Sequence, residues 1–374
     1  MQARCSVCGE EKEISNLLGV CVDCIRERWE DVKDFVMRAH LIARARFSLP
    51  PTPPKTKNGI RCNLCSNECI IGEGEVSYCG LKSVKDGKLR SLTDLNVSLM
   101  HYYLDPLPTN CCATWFCPAG TGAGYPKFAY RNGPEYGYYN LAVFFYGCNF
   151  SCLFCQNYSH KNLSGAEKVT REKLVSQALE EKVACVCYFG GSPEPQLPFA
   201  IKASEEMIQR SNKILRICWE WNGCGRKDLV RKAAELSFIS GGNVKFDLKT
   251  FSEELSIALS GVSNRRAFEN FEMIYHEFYN ERKDLPVLTA TTLLVPGYVD
   301  KYEVENIARF IADLDPNIPY SLLVFYPQYE MLDLPITPLR QVKEAYNAAK
   351  KYLKRVHIGN KHLLAFSGQY IKFL

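Results

Sequence analysis

The chain has 374 residues, long enough for two or three units, and 47% of them are hydrophobic, ample for a sizeable core. The 46 basic and 41 acidic residues leave a net charge of +5, too mild to indicate nucleic acid as a partner. No run approaches the ~18 apolar residues of a membrane helix, and Met1-Gln2-Ala3-Arg4-Cys5 begins no apolar signal segment.

The 18 cysteines fall largely into C-x2-C pairs and triplets, a metal-ligand pattern rather than a disulfide framework. This reads as a cytoplasmic, metal-loaded, oxygen-sensitive protein. The isolated Cys185, Cys187, Cys218 and Cys224 read as buried thiols as readily as ligands.

Cys5-x2-Cys8 and Cys21-x2-Cys24 come first. Two such knuckles bring four thiolates into a tetrahedron suited to zinc, whose binding would supply much of the folding energy of so small a unit. Trp29, Val32, Phe35, Val36, Ala39 and Ile42 recur at helical spacing and predict a helix over 25–47 that packs rather than binds. The run Leu49-Pro50-Pro51-Thr52-Pro53-Pro54 is a stiff extended linker. Cys62-x2-Cys65-x3-Cys69-x9-Cys79 forms a second metal site, compatible with zinc or an iron–sulfur cluster, with a strand pair over 89–99 as a cover. Cys111, Cys112 and Cys117 then open an irregular Gly- and Tyr-rich stretch to 139. It reads as an ordered lid or substrate loop, or as a covering loop with buried thiols.

From 141 the pattern becomes regular. Strand-like runs at 141–146, 183–189, 214–219, 244–248, 287–295 and 321–325 alternate with helix-like runs at 171–181, 198–210, 226–236, 267–278, 302–314 and 338–352. A short seventh strand fits 355–358. Six strands alternating with six helices predict a parallel α/β barrel or open barrel, with its site at the C-terminal strand ends. Those ends carry Cys148-x3-Cys152-x2-Cys155, Gly190-Gly191-Ser192, Glu220, Asn222, and Asp247 with Lys249. The three close thiols have no fourth cysteine until Cys185, so a metal group held there keeps one position open for chemistry. The two glycines let backbone pass close to a ligand, whose ammonium a carbonyl or the Ser192 hydroxyl can receive. Charges at apolar strand ends are costly unless paired or ligand-bound.

Cys148-x3-Cys152-x2-Cys155, with Phe154 before the last cysteine, resembles the signature of radical S-adenosylmethionine (SAM) enzymes. Gly147-Cys148-Asn149, Cys155-Gln156-Asn157, Gly190-Gly191, Asn222-Gly223, Asp247-Leu248-Lys249, Leu259-Ser260-Gly261, Val295-Pro296-Gly297 and Ile358-Gly359-Asn360 resemble the pyruvate formate-lyase activating enzymes and their uncharacterised archaeal relatives. The resemblance implies a partial (β/α)6 TIM-like radical SAM barrel over 141–374. It would follow a zinc-ribbon-like segment at 1–48, a linker at 49–60 and a Cys-rich region at 61–140. It also implies that Cys148, Cys152 and Cys155 hold three irons of a [4Fe–4S] cluster, with SAM on the fourth. Reductive cleavage of SAM to a 5′-deoxyadenosyl radical then abstracts hydrogen from a substrate, a protein or peptide by this likeness.

By the same resemblance Gly190, Gly191 and Ser192 receive the methionine ammonium and Phe154 lies near the adenine. Asn222 belongs to the cofactor-binding set. Asp247 and Lys249 meet polar parts of SAM or a cation beside it that Glu220 helps hold. An electron donor such as ferredoxin or flavodoxin is implied. The chain departs from the activating enzymes at Ser192, Thr291 and Ser321, where an acidic residue, an Arg and a His are frequent. Two other readings of the cysteines stand beside this one. In one, the extra groups hold auxiliary iron–sulfur clusters of a modifying or maturation enzyme. In the other, the zinc ribbon is an adaptor on a non-catalytic barrel.

Overall fold

The computed structural model describes residues 2–366. Residues 1 and 367–374, which the expected first and last segments include, lie outside the described residues. A nine-stranded sheet carries the fold. Tyr139–Phe145, Val183–Gly190, Arg216–Trp221, Val244–Asp247, Leu288–Leu294, Tyr320–Val324 and Val356–Gly359 pair in that order, all parallel. Val97–Pro106 pairs antiparallel with the first of these, and Lys168–Thr170 with Val97–Pro106. Helices join successive parallel strands, as in the expected α/β partial barrel.

The strands form because their outward residues are large and apolar. Val186 and Tyr188, Ile217, Trp219 and Trp221, and Val244 and Phe246 are all buried. They lie under helices such as Leu197–Arg210 and Lys227–Ser240, whose Phe199, Ala203, Met207, Val230, Ala233 and Ala234 are buried in turn. Tyr188, Trp219 and Trp221 stack in a row, with centroids 4.6 and 5.5 Å apart. Burying each such side chain contributes roughly 1.5–3 kcal/mol. Side chains alternate along a strand, so the intervening residues face the barrel interior. They are polar: Cys185 and Cys187, then Arg216, Cys218 and Glu220, then Lys245 and Asp247. The interior is therefore a site rather than an apolar core.

Four segments differ from the sequence-based expectation. The third parallel strand runs Arg216–Trp221 rather than 214–219, so Glu220 lies within it and points inward. The helix expected at 25–47 is two, Val22–Glu27 and Trp29–Ala45, broken at Arg28 with φ −133° and ψ 46°. The cover expected at 89–99 divides between a hairpin, Lys82–Lys85 with Lys88–Ser91, and the sheet strand Val97–Pro106. A short helix, Glu253–Ser260, had no strong periodic signal.

The N-terminal region packs on the barrel. The Tyr298 hydroxyl donates to Val20 O at 3.1 Å and accepts from Ser15 N at 3.0 Å. Arg26 bridges Asp300 and Glu303 at 2.8 and 2.9 Å. Residues 107–138 connect the antiparallel pair Val97–Pro106 and Tyr139–Phe145, tied at the base by Leu107 N to Tyr138 O at 2.9 Å. This long connection enters the barrel at its N-terminal end. There Arg216 donates to both Glu135 oxygens, at 2.8 and 2.5 Å, with both side chains buried. No described helix is long and apolar enough to cross a membrane.

Candidate active site

The strand Tyr139–Phe145 delivers the cysteine loop. Gly147 makes the turn at φ +79°, and its N–H bonds His160 O at 2.9 Å. The loop is then strapped to the helix Glu253–Ser260. Ser151 N bonds Ser260 O at 2.8 Å, and Leu153 N bonds Leu259 O at 2.9 Å. Cys152 Sγ lies 3.4 Å from Ser260 Oγ. The short helix missed by periodicity is thus the platform of the cysteine loop.

One cavity of about 190 Å³ gathers Cys148, Cys152, Cys155, Phe154, Gly190, Gly191, Ser192, Glu220, Asn222, Asp247 and Lys249 in its wall. The structure therefore brings together the cysteine loop with Gly190, Gly191, Ser192, Glu220, Asn222, Asp247 and Lys249, whereas Pro296, Gly297 and Asn360 do not line this cavity. Their local contacts differ in kind. A Cβ on Gly191 would stand 2.3 Å from Gly147 O, and one on Gly190 2.6 Å from Phe145 N. The glycine pair is thus required by the backbone approach between the second parallel strand and the cysteine loop. Asn222 and Asn149 exchange amide hydrogen bonds of 3.2 and 2.8 Å, and Asn222 Nδ2 also reaches Ser192 Oγ at 3.0 Å. Asn67 Nδ2 holds Asn149 O at 2.6 Å. Asn222 and Ser192 accordingly lock the loops together, with polar capacity largely spent inside the protein.

Asp247 pairs with Lys249, whose ammonium lies 5.6 Å from the Phe154 ring centroid. Burial opposes the charge of Lys249, but Asp247 and the Cys152 and Cys155 thiols hold its pKa above the ordinary lysine value. Asp247 Oδ1 and Thr291 Oγ1 are buried in this wall without partners among the described residues. Unpaired buried groups of this kind are costly unless a ligand satisfies them. Burial pushes the Cys148 and Cys155 thiols up, so they ionise readily only beside a cation. Burial pushes the Lys161 ammonium down while all three cysteines of the loop push it up; its Nζ stands 5.4 Å from the Tyr329 ring centroid and has no hydrogen-bond partner among the described residues. Three sulfur donors, orphaned oxygens and fixed cations suit a thiolate-bound metal cluster carrying a zwitterionic ligand.

Sequence reasoning left Lys245 and Cys187 without a role. Lys245 is buried within Val244–Asp247, and its Nζ lies 3.1 Å from Cys187 Sγ, 3.2 Å from Cys111 Sγ and 3.3 Å from Glu220 Oε2. Glu220 thus pairs with Lys245 rather than standing past the strand end. The readable signal was the period-two placement of polar residues in Arg216-Ile217-Cys218-Trp219-Glu220-Trp221 and Lys245-Phe246-Asp247.

The outlying cysteines divide. Cys5, Cys8, Cys21 and Cys24 bring their sulfurs within 4.8 Å of one another, with Cys5–Cys24 and Cys8–Cys21 each 3.9 Å apart. Tetrahedral ligands at about 2.3 Å from zinc stand ~3.8 Å apart. Cys62, Cys65, Cys69 and Cys79 are not gathered that tightly among the described residues, though burial and mutual repulsion push up Cys65 and Cys69.

Residues 142–311 match the model of the radical SAM superfamily. An uncharacterised protein of Methanocaldococcus jannaschii is 26% identical over 313 residues, 81% of this chain and 82% of its own length. A second protein of that organism, provisionally named a glycyl-radical enzyme activating enzyme, is 25% identical over 58% of this chain and 79% of its own length. The isethionate sulfite-lyase activating enzyme of Desulfovibrio desulfuricans is 34% identical over 37% of this chain and 40% of its own length.

Proposed function

Residues 142–311 form a radical SAM domain and the chain is an enzyme of that superfamily, and from this premise we propose that it abstracts hydrogen from a protein or peptide substrate. The observation that carries the reading is the convergence of the cysteine loop, the strand-end polar residues and the orphaned Asp247 and Thr291 oxygens on one cavity. In this reading Cys148, Cys152 and Cys155 hold three irons of a [4Fe–4S] cluster. With SAM bound beside it and an electron from a ferredoxin- or flavodoxin-like donor, such a cluster would supply reductive cleavage of SAM to a 5′-deoxyadenosyl radical.

The chain's own residues do the rest. Phe150, Leu153 and Phe154 are buried around the cysteines and keep water from them. Asp247 and Lys249 present a fixed ion pair to the polar end of the ligand. The Asn149–Asn222–Ser192 bonds hold three strand ends in register, so the cavity is preorganised. Names of relatives support the activating-enzyme class of substrate, a polypeptide backbone. Cys5, Cys8, Cys21 and Cys24 take zinc, Cys62, Cys65, Cys69 and Cys79 a second metal group, and the protein works in the cytoplasm.

The test is anaerobic reconstitution with iron and sulfide, followed by dithionite and SAM. The reading predicts 5′-deoxyadenosine and methionine, both lost with the cluster in Cys152→Ala. A confirmed cluster that yields no 5′-deoxyadenosine contradicts it.

A further inference from the structure

Below the cysteine-loop cavity lies a second one, of about 240 Å³. The two share Glu220, Lys245, Phe189 and Asn157 in their walls, so they are stacked in the barrel interior. The tip of the 107–138 connection forms part of its wall. There Cys111 Sγ, Cys112 Sγ and a Glu220 carboxylate oxygen lie within 4.8 Å of one another. Neither Cys111 nor Cys112 belongs to the cysteine motifs of the reading above, and Glu220 walls both cavities.

The tip is built rather than loose. Cys111 N bonds Thr109 O at 2.8 Å, and Thr114 Oγ1 donates to Thr109 O at 2.7 Å. Ser321 Oγ and Trp115 Nε1 both donate to Cys112 O, at 2.9 and 3.0 Å, and Trp115 stacks on His357 with centroids 5.3 Å apart. Cys111 Sγ receives two N–H donors, Ala113 N at 3.4 Å and Lys245 Nζ at 3.2 Å. Donors converging on a sulfur suit an anionic sulfur.

The geometry points to a single thiophilic divalent ion, zinc or ferrous iron, bound by Cys111, Cys112 and Glu220. Sulfur and oxygen donors this close fit one tetrahedral centre, whose ligands stand about 3.5–3.8 Å apart. In a [4Fe–4S] cluster each protein ligand binds its own iron, and a [2Fe–2S] cluster takes four protein ligands rather than three. Binding displaces the two thiol protons to solvent and changes no oxidation state. Two thiolates and one carboxylate carry three negative charges, which the divalent ion and the Lys245 ammonium together neutralise. Three protein ligands leave a fourth position, the pattern of ions that bind substrate rather than staple a fold. Because Glu220 and Lys245 also wall the upper cavity, an ion held here would stand where the two cavities adjoin. The ion is thereby placed to hold a thiol, carboxylate or amine of the substrate beneath the site of hydrogen abstraction. This last step rests on the radical SAM reading, whereas the metal assignment does not.

The test measures zinc, iron and sulfide per chain in the anaerobically reconstituted full-length protein and in Cys111→Ser/Cys112→Ser. Glu220→Gln is the second variant, since it keeps the side-chain shape. The double variant is expected to lose one equivalent of zinc or iron and no sulfide. Glu220→Gln is expected to bind the same equivalent at least ten-fold more weakly in a competition with a chromogenic chelator. Folding is checked by circular dichroism. Equal metal contents in folded parent and double variant overturn the assignment. So does loss of several irons with sulfide, which would mean a cluster. So does a Cys111–Cys112 disulfide in the intact mass of the anaerobic protein. SAM cleavage is a separate readout, so failure of the radical SAM reading leaves this result interpretable.

Discussion

Gly191→Ala tests how the cysteine loop is positioned. The added methyl would lie 2.3 Å from Gly147 O and 3.0 Å from Phe145 O, both backbone atoms. Ordinary carbon contacts begin near ~3.4–3.5 Å, so Gly147 must retreat by about 1 Å. Gly191 N also donates to Phe145 O at 2.9 Å, which ties the same two strand ends and limits retreat elsewhere. Gly147 immediately precedes Cys148, so the displacement falls on the first ligand. Overpacking of this kind costs about 1–3 kcal/mol, small enough to leave the chain folded. A misplacement of about 1 Å in a reacting site costs ~10²-fold in rate, or ~2.7 kcal/mol of barrier. The assay is the initial rate of 5′-deoxyadenosine formation, normalised to bound iron. A rate within about three-fold of the parent at equal iron content would refute the claim that this backbone approach sets the loop.

Other outcomes follow from the same geometry. Glu135→Gln leaves the Arg216 guanidinium buried and half-paired, and should cost about 3–5 kcal/mol in a urea titration. A double Glu135→Leu/Arg216→Leu variant should recover much of that loss, and an undiminished Glu135→Gln would mean that this buried pair does not anchor the 107–138 connection. Burial raises Glu194 from an ordinary value of 4.5 to about 7. A raised acid favours the fold while protonated, so its contribution is complete below about pH 4.5 and is lost as pH rises through about 7. The parent should therefore lose up to ~3 kcal/mol between pH 5 and 8 from this group, and Glu194→Gln should flatten that slope in pH-stepped urea melts. Chelation at the proposed Cys5–Cys8–Cys21–Cys24 zinc site, or Cys8→Ser, should release one equivalent of zinc and expose residues 2–27 to protease. Unchanged proteolysis would mean that packing through Arg26 and Tyr298 suffices alone.

The parallel strands were legible because their outward faces are large and apolar, as in Val186 and Tyr188 or Ile217, Trp219 and Trp221. The cysteine motif was legible because its spacing is local. The less legible parts depend on three-dimensional closure. Glu253–Ser260 buries Leu255, Ala258 and Leu259 but also Ser256 and Ser260, so its role as a platform follows from Ser260 O and Leu259 O rather than from periodicity. Residues 107–138 show no period because they pack against the polar inner face of a sheet, through Arg216, Lys245 and Ser321. The inner face itself was half visible. Glu220 and Asp247 stood out as strand-end charges, but Arg216, Cys218 and Lys245 pass for ordinary strand residues unless the alternation is followed inward.

The central claim is that Cys148, Cys152 and Cys155 hold a cluster with one iron free for SAM. Electron paramagnetic resonance of the reduced, reconstituted chain with and without SAM tests it most directly. The account predicts a [4Fe–4S]+ signal whose g values shift when SAM is added and which is absent from Cys152→Ala. A signal indifferent to SAM, or one that survives Cys152→Ala unchanged, would contradict it.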